Sequence, residues 1–294
     1  MTVVDAHLHV WDPGAAAYNW LGPAMAPVDR AMRFHEARPA LRTAEVTAAV
    51  LVQAADNDAD TEHMLAIAAA NPEVVGVVAW VPLDDPDRVA ARLRALRRDP
   101  HVVGVRTLLH ERSDPQWITG PDAGAGLALL AEAGLPFDYS TTSPAALRHL
   151  PELAVRHPTL RLVVDHLGKP PVGGGREDRA EWRRLIAAAA KHPGVHAKVS
   201  GLYSASGPLG AWSTDQVRPF VEDALELFGP ERLMYGGDWP VSLLAGGYAR
   251  TWESVCALLA PLPPDDRAAV LGVTAARFYR LDPALLNAAR DAAG

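Results

Sequence analysis

The chain has a single cysteine, Cys256, in 294 residues. That excludes an intrachain disulfide and any metal site built from clustered thiolates, and it suits a reducing compartment. Basic residues are in deficit, with 28 Lys and Arg against 35 Asp and Glu and a formal net charge of −7. There is no basic run either, so nothing marks a nucleic-acid surface. No apolar run reaches the ~20 residues that a membrane-spanning helix needs. The opening residues lack the basic stretch and apolar stretch of an export signal, so a soluble cytoplasmic protein is expected. A Gly-rich dinucleotide fingerprint is also missing after the first apolar run, which weighs against a doubly wound sheet. What is there suffices for a large core: 49% of residues are hydrophobic and 21% charged, the composition of a folded globular chain.

Short apolar runs alternate with longer Ala, Leu, Arg and Glu stretches. Eight runs read as strands: 3–11, 48–55, 74–83, 102–109, 136–141, 161–168, 195–202 and 233–240. Most are β-branched and apolar throughout, as parallel strands covered on both faces should be. Helical segments are expected between and after them at 60–71, 86–98, 123–133, 144–157, 178–192, 214–228, 248–259 and 265–279. Asp60, Asp85, Ser143 and Ser213 or Thr214 are candidate N-caps, and Gly134, His157-Pro158 and Gly229-Pro230 are stop signals. The alternation predicts one (β/α)₈ TIM barrel, an α/β fold that takes ~250 residues as a single domain. Its core should span about residues 3–281, with 282–294 as a C-terminal tail. The stretch 12–43 is expected to cap the barrel mouth, and the loops 12–43 and 201–214 to shape its specificity.

His7-Leu8-His9 lies in the first strand, where residues two apart point the same way. Alone, this motif fits a pair of hydrogen-bonded core histidines equally well. His166 near the end of strand six and Asp238 near the end of strand eight change the balance, because strands one, six and eight end on one rim of a barrel. Three imidazoles and a carboxylate converging there would make either a site for Zn²⁺ or a similar ion, or a metal-free acid/base cluster. Burying four such groups without a purpose would be costly.

Several blocks together resemble the amidohydrolase superfamily. They are Val4-Asp5-Ala6-His7-Leu8-His9-Val10-Trp11, Val52-Gln53-Ala54, Val75-Gly76-Val77-Val78-Ala79-Trp80-Val81, Gly104-Val105-Arg106, Asp165-His166-Leu167-Gly168-Lys169-Pro170, Ala197-Lys198-Val199-Ser200-Gly201-Leu202 and Gly237-Asp238-Trp239-Pro240. Within that superfamily the order and spacing resemble its amidohydrolase 2 type and the lactonase-like branch of fuconolactonase, rhamnonolactonase and pyrone-dicarboxylate lactonase. The resemblance implies an amidohydrolase-like barrel hydrolase with His7, His9, His166 and Asp238 in its site. A second metal would need a bridging lysine or glutamate after strand four and a histidine after strand five. Arg106, Asp138 and Tyr139 stand at those places, so one divalent ion, zinc foremost, or none is implied. Gly237 replaces a serine common in related motifs and is expected only to loosen the turn.

On this reading the chain opens a small lactone, with a neutral sugar lactone of carbohydrate metabolism favoured. Asp238 acts as general base and acid, and the three histidines polarise the carbonyl or hold the ion that does. Arg106, Tyr139, Lys169, Trp80 and Trp239 are candidate substrate contacts, although a salt bridge for Arg106 and barrel-rim packing for Tyr139 and the tryptophans explain each of them too. Lys198 either touches substrate or pairs with an internal acid. A metal-dependent decarboxylase or hydratase would present the same ligand set, and a non-catalytic small-molecule-binding barrel is a further alternative. The only partner implied is the small-molecule lactone, without nucleic acid or membrane; a homo-oligomer is compatible with all of this.

Overall fold

The computed structural model describes residues 2–114, 116–141, 143–203 and 209–293, so part of the expected specificity loop 201–214 lies outside the described residues. The strands are β1 (Val4–Leu8), β2 (Ala48–Val52), β3 (Val74–Ala79), β4 (Val102–Thr107), β5 (Phe137–Tyr139), β6 (Leu162–Val164), β7 (Val195–Val199) and β8 (Leu233–Tyr235). Each pairs in parallel with its neighbour in sequence, in the order β1 to β8. Helices α1 (Phe34–Thr43), α2 (Asp58–Ala70), α3 (Pro86–Leu96), α4 (Pro121–Ala133), α5 (Leu150–Arg156), α6 (Arg176–Ala190), α7 (Thr214–Phe228) and α8 (Tyr248–Leu259) cover it. The chain ends in α9 (Pro264–Ala268), α10 (Thr274–Tyr279) and α11 (Pro283–Ala293). This is a (β/α)₈ barrel. None of its described helices is long and apolar enough to cross a membrane.

Every strand is shorter than the apolar run that announced it, mostly at the C-terminal end. Trp11, Val81, Leu83 and Leu108 are fully buried but lie past the last ladder bond. Apolarity reports burial, and the barrel rim is buried by loops as well as by pairing. Consequently His9, His166 and Asp238 sit on turns just beyond β1, β6 and β8 rather than within the strands. The expected helix 144–157 is two pieces, a 3₁₀ segment Pro144–His149 and then α5. Pro151 is the cause, since it has no N–H to give the carbonyl of Leu147. The segment 12–43 also differs from a pure cap: its last third is α1.

Asp85, Ser143 and Ser213 accept backbone N–H bonds as N-caps. Asp60 does not. Asn57 caps α2, and the Asp60 carboxylate turns inward to accept from Ala54 N at 2.8 Å, Ala55 N at 3.2 Å and the Tyr18 hydroxyl at 2.8 Å. It thereby pins the mouth segment to the end of β2.

Inside the barrel Val4, Ala6, Val50, Val78, Val163 and Met234 form an apolar layer, and Phe278, Tyr279 and Leu281 close it from the α10 end. Leu8, Leu51, Val77, Phe137 and Val199 belong instead to the cluster beneath the outer helices. Between Asp5 and Leu8, β1 advances three residues while β2 advances two, from Ala49 to Leu51. That bulge turns His7 inward beside Ala6 and leaves Asp5 facing α8.

The barrel closes between β1 and the turn after β8. Asp238 N donates to His7 O at 2.8 Å and His9 N to Trp239 O at 2.7 Å. The fully buried Asp5 carboxylate reinforces this seam, accepting from His7 N at 2.9 Å, Gly237 N at 2.9 Å and the Tyr248 hydroxyl at 2.8 Å. Asp5→Ala strips an acceptor from three buried donors, each worth ~1–3 kcal/mol if left unpaired. With partial relaxation a loss of roughly 3 kcal/mol is expected, read as a lower urea midpoint at unchanged slope.

Candidate active site

At the seam His7 Nε2 and His9 Nε2 lie 3.1 Å apart. Asp238 Oδ1 is 3.7 Å from the first and 3.5 Å from the second. All three residues are buried, and they form the metal-capable cluster found among the described residues. Zinc bonds of ~2.0–2.1 Å at tetrahedral angles separate neighbouring donor atoms by about 3.3 Å. The observed edges match one face of such a tetrahedron and leave its fourth position open, as catalytic zinc sites do.

The protons also fit. His9 Nδ1 donates to Val52 O at 2.7 Å, so its Nε2 presents a lone pair. His7 Nδ1 has two neighbours, Lys198 Nζ at 3.0 Å and Asp165 Oδ1 at 3.3 Å. If Lys198 donates to Nδ1, His7 carries its proton on Nε2 and gives it to His9. If Nδ1–H turns to Asp165, Nε2 presents a second lone pair beside those of His9 and Asp238. Asp165 Oδ1, otherwise met by Lys198 Nζ at 3.0 Å, can accept that proton, so the second arrangement is open whenever a cation is present. A ligating imidazole ordinarily gives its other N–H to a carboxylate or carbonyl in this way.

Beneath the triad lies a charged layer of two cations and two carboxylates, all buried. Lys198 Nζ contacts Asp138 Oδ2 at 2.5 Å and Asp165 Oδ1 at 3.0 Å. Arg106 Nη1 lies 3.1 Å from both Asp165 Oδ2 and His7 Nε2. The Tyr279 hydroxyl donates to Asp138 Oδ2 at 2.7 Å. Lys198 thus pairs with internal acids. Burial pushes the Asp138 carboxyl up to about 6 against the pull of Lys198. Burial acts the same way on Asp165, but Lys198 and Arg106 outweigh it and hold that carboxyl below the usual range.

His166 stands outside the triad. Its ring meets His7 edge-on at 4.5 Å and its Nδ1 lies 2.8 Å from Ser200 Oγ. The turn that carries it is left-handed, with φ of 54° at His166, 50° at Leu167 and 57° at Lys169. Asp238 has φ 52°. Non-glycine residues rarely adopt this conformation except where surroundings enforce it. Gly201 makes room for it, since a Cβ there would collide with the His166 ring. Gly237 does more than loosen its turn. The space a serine Cβ needs is taken by the Tyr248 ring and the Asp5 carboxylate.

A chamber of about 200 Å³ opens over the triad, walled by His9, His166, Asp238, Arg106 and Lys169 with Trp11, Trp20 and Met25 above. Of the anticipated substrate contacts, Arg106 and Lys169 line it; Trp80, Trp239 and Tyr139 do not. Trp80 and Trp239 are buried rim packing, and Tyr139 gives its hydroxyl to Ala146 O at 2.8 Å and faces a neighbouring cleft. Sequence reasoning missed Trp20, Met25 and His110 in the chamber wall and Asp165 behind His7. Asp165 had a signal, since it is the carboxylate next to His166 at the end of an apolar strand. Trp20 had none, because its position depends on how the 12–33 segment folds back over the rim.

Burial, then Lys198, hold the His7 imidazole well below its ordinary value of 6.5, and burial with Lys169 does the same for His166. Both rings are neutral at pH 7. Burial raises the Asp238 carboxyl, but His166, His9 and Lys169 together bring it below 3.8, so it is ionised. Burial lowers the Lys169 ammonium. The buried Tyr203 hydroxyl beside Asp238 is pushed well above the usual phenol range, first by burial and then by that charge.

A family model described as Amidohydrolase matches residues 4–281. The chain is 35% identical over 286 residues to an L-fucono-1,5-lactonase of Burkholderia ambifaria, covering 95% of this chain and 96% of that one. An L-fucono-1,5-lactonase of Burkholderia multivorans is 32% identical over 293 residues, covering 95% and 96%. Among solved structures, an amidohydrolase from Burkholderia multivorans with bound zinc superposes with a TM-score of 0.89 at 30% identity, over 96% of this chain and 100% of that one. One divalent ion therefore suits the triad. Asp165→Asn removes the carboxylate charge that lies 3.3 Å from His7 Nδ1, and zinc affinity is expected to fall ~10–100-fold, measured by titration against a chromogenic chelator.

Proposed function

This chain belongs to the amidohydrolase family, and on that premise we propose that it hydrolyses a neutral six-membered sugar lactone, with L-fucono-1,5-lactone the first to try. One observation carries the reading: two imidazoles and a carboxylate from opposite ends of the chain meet beneath a chamber lined by two cations. The chamber's single guanidinium, that of Arg106, is already engaged with Asp165, which speaks for a neutral ring over a dicarboxylate. The lone cysteine supports the expectation of a cytoplasmic location.

His7, His9 and Asp238 would hold one ion, for which zinc is the natural candidate, as in the solved relative. Bound there, such an ion supplies a Lewis acid for the lactone carbonyl and a lowered pKa for water. The chain's own groups do the rest. Asp238 Oδ1 belongs to the triad, which leaves Oδ2 to take the proton as a water oxygen adds to the carbonyl carbon. Arg106 and Lys169 place positive charge where the carbonyl oxygen becomes an oxyanion. When the bond from that carbon to the ring oxygen breaks, Asp238 returns the proton to the departing alkoxide. The product is the open hydroxy acid, with its carboxylate beside the same two cations. His166 stays neutral and borders the reacting atoms.

Purified protein should release acid from aldono-1,5-lactones. Asp238→Asn should lower kcat ~10²–10⁴-fold, the worth of a positioned base, with a smaller change in KM; retained turnover would refute the assignment. Because His7 and His166 lie well below 6.5 and Asp238 below 3.8, all three keep one protonation state on moderate acidification. A profile of kcat/KM should then show no step assignable to His7, His166 or Asp238 as the pH falls from about 8 to 6.5.

A further inference from the structure

Beside the reaction chamber lies a second, larger cleft of about 300 Å³, which the chemistry described above does not use. The two share His110 and Thr141 as a common border. Alone, the chamber of about 200 Å³ falls short of the ~300–1,000 Å³ usual for ligand pockets; with its neighbour it falls within that range. The cleft has the mixed character that a sugar ring requires. Trp117 and Ile118 offer apolar surface to ring C–H groups, and Thr141 and Ser143 offer hydroxyls.

Of its two arginines one braces the wall and the other can donate. Arg112 is anchored by Asp56 at 2.7 Å and lies 4.4 Å over the Trp117 ring. The exposed Arg148 makes no ion pair or hydrogen bond among the described residues. Burial, then Arg106, push His110 down to about 4, so the border between the cavities is a neutral imidazole, able to donate from one nitrogen and accept at the other. With Asp114 in the same lining, the cleft carries no strong excess of one sign, which suits a neutral polyol better than an anion.

We propose that this cleft is a second sugar subsite, and that the enzyme accepts lactones bearing a further glycosyl unit, the lactone ring in the chamber and the second ring between Trp117 and Arg148. This rests on the lactonase reading for the first ring only. The open acids are stable, so binding can be separated from turnover. Isothermal titration of disaccharide-derived aldonic acids linked through O3, O4 or O6, against the monosaccharide acid, should find at least one extended acid bound about tenfold more tightly. Ala145→Trp fills the cleft from an exposed position and should abolish that advantage, while the monosaccharide acid keeps its affinity within about twofold. Arg148→Ala should reduce the advantage in the same selective way. The proposal is overturned if no extended acid binds more tightly, if neither kind binds, or if Ala145→Trp weakens both alike. Selective binding without turnover of any lactone would leave the subsite standing and remove the hydrolase reading instead.

Discussion

The barrel can close only by joining its first strand to its last, and the site is made of that join. The bonds from Asp238 N to His7 O and from His9 N to Trp239 O bring together residues more than two hundred positions apart. They do so with the backbone, so the side chains of His7, His9 and Asp238 arrive already at donor spacing. Asp5 secures the same join from the outer side through His7 N, Gly237 N and the Tyr248 hydroxyl. Stability and site geometry are therefore one problem here, because a slip along the seam would spoil both.

The layer below shows what this arrangement costs. Lys198, Arg106, Asp138 and Asp165 sit where an ordinary barrel would place aliphatic side chains, and buried ion pairs seldom repay their desolvation. Their charges balance, with Lys198 pairing to both acids and Arg106 to Asp165, and Lys198, Arg106 and Asp165 all reach up to His7. Further strain sits at His166, Leu167, Lys169 and Asp238, all left-handed and worth roughly 1–3 kcal/mol each. The large apolar layers on both faces of the sheet offset these terms. Strain and buried charge concentrate on one rim, the C-terminal rim where barrels of this kind carry their sites.

Much of the architecture was legible along the chain. Eight β-branched runs separated by capped, amphipathic segments permit few folds, and all eight strands lie within the runs that announced them. The errors have a common cause. Strand ends and Asp60 as a cap were both read from what a residue is, when the outcome turned on what packs against it. Asp60 is a plausible cap by type, but Asn57 stands one turn earlier and Tyr18 claims the Asp60 carboxylate. Trp80 and Trp239 are aromatic rim residues by position, while the chamber wall went to Trp11 and Trp20.

His7, His9, His166 and Asp238 were identifiable because polar, titratable residues at the ends of apolar strands conflict with burial unless they share a purpose. That conflict is local, and local signals survive in a linear sequence. Which three of the four converge was decided only in three dimensions. The bulge in β1 sets where His7 points, the left-handed turn after β6 sets His166 edge-on against the His7 ring, and the seam delivers Asp238. Likewise Asp165 behind His7, Trp20 over the chamber and the cleft next to it arise from contacts between distant segments. Residue type and spacing encode which groups must be buried; the closure of the barrel determines which of them meet.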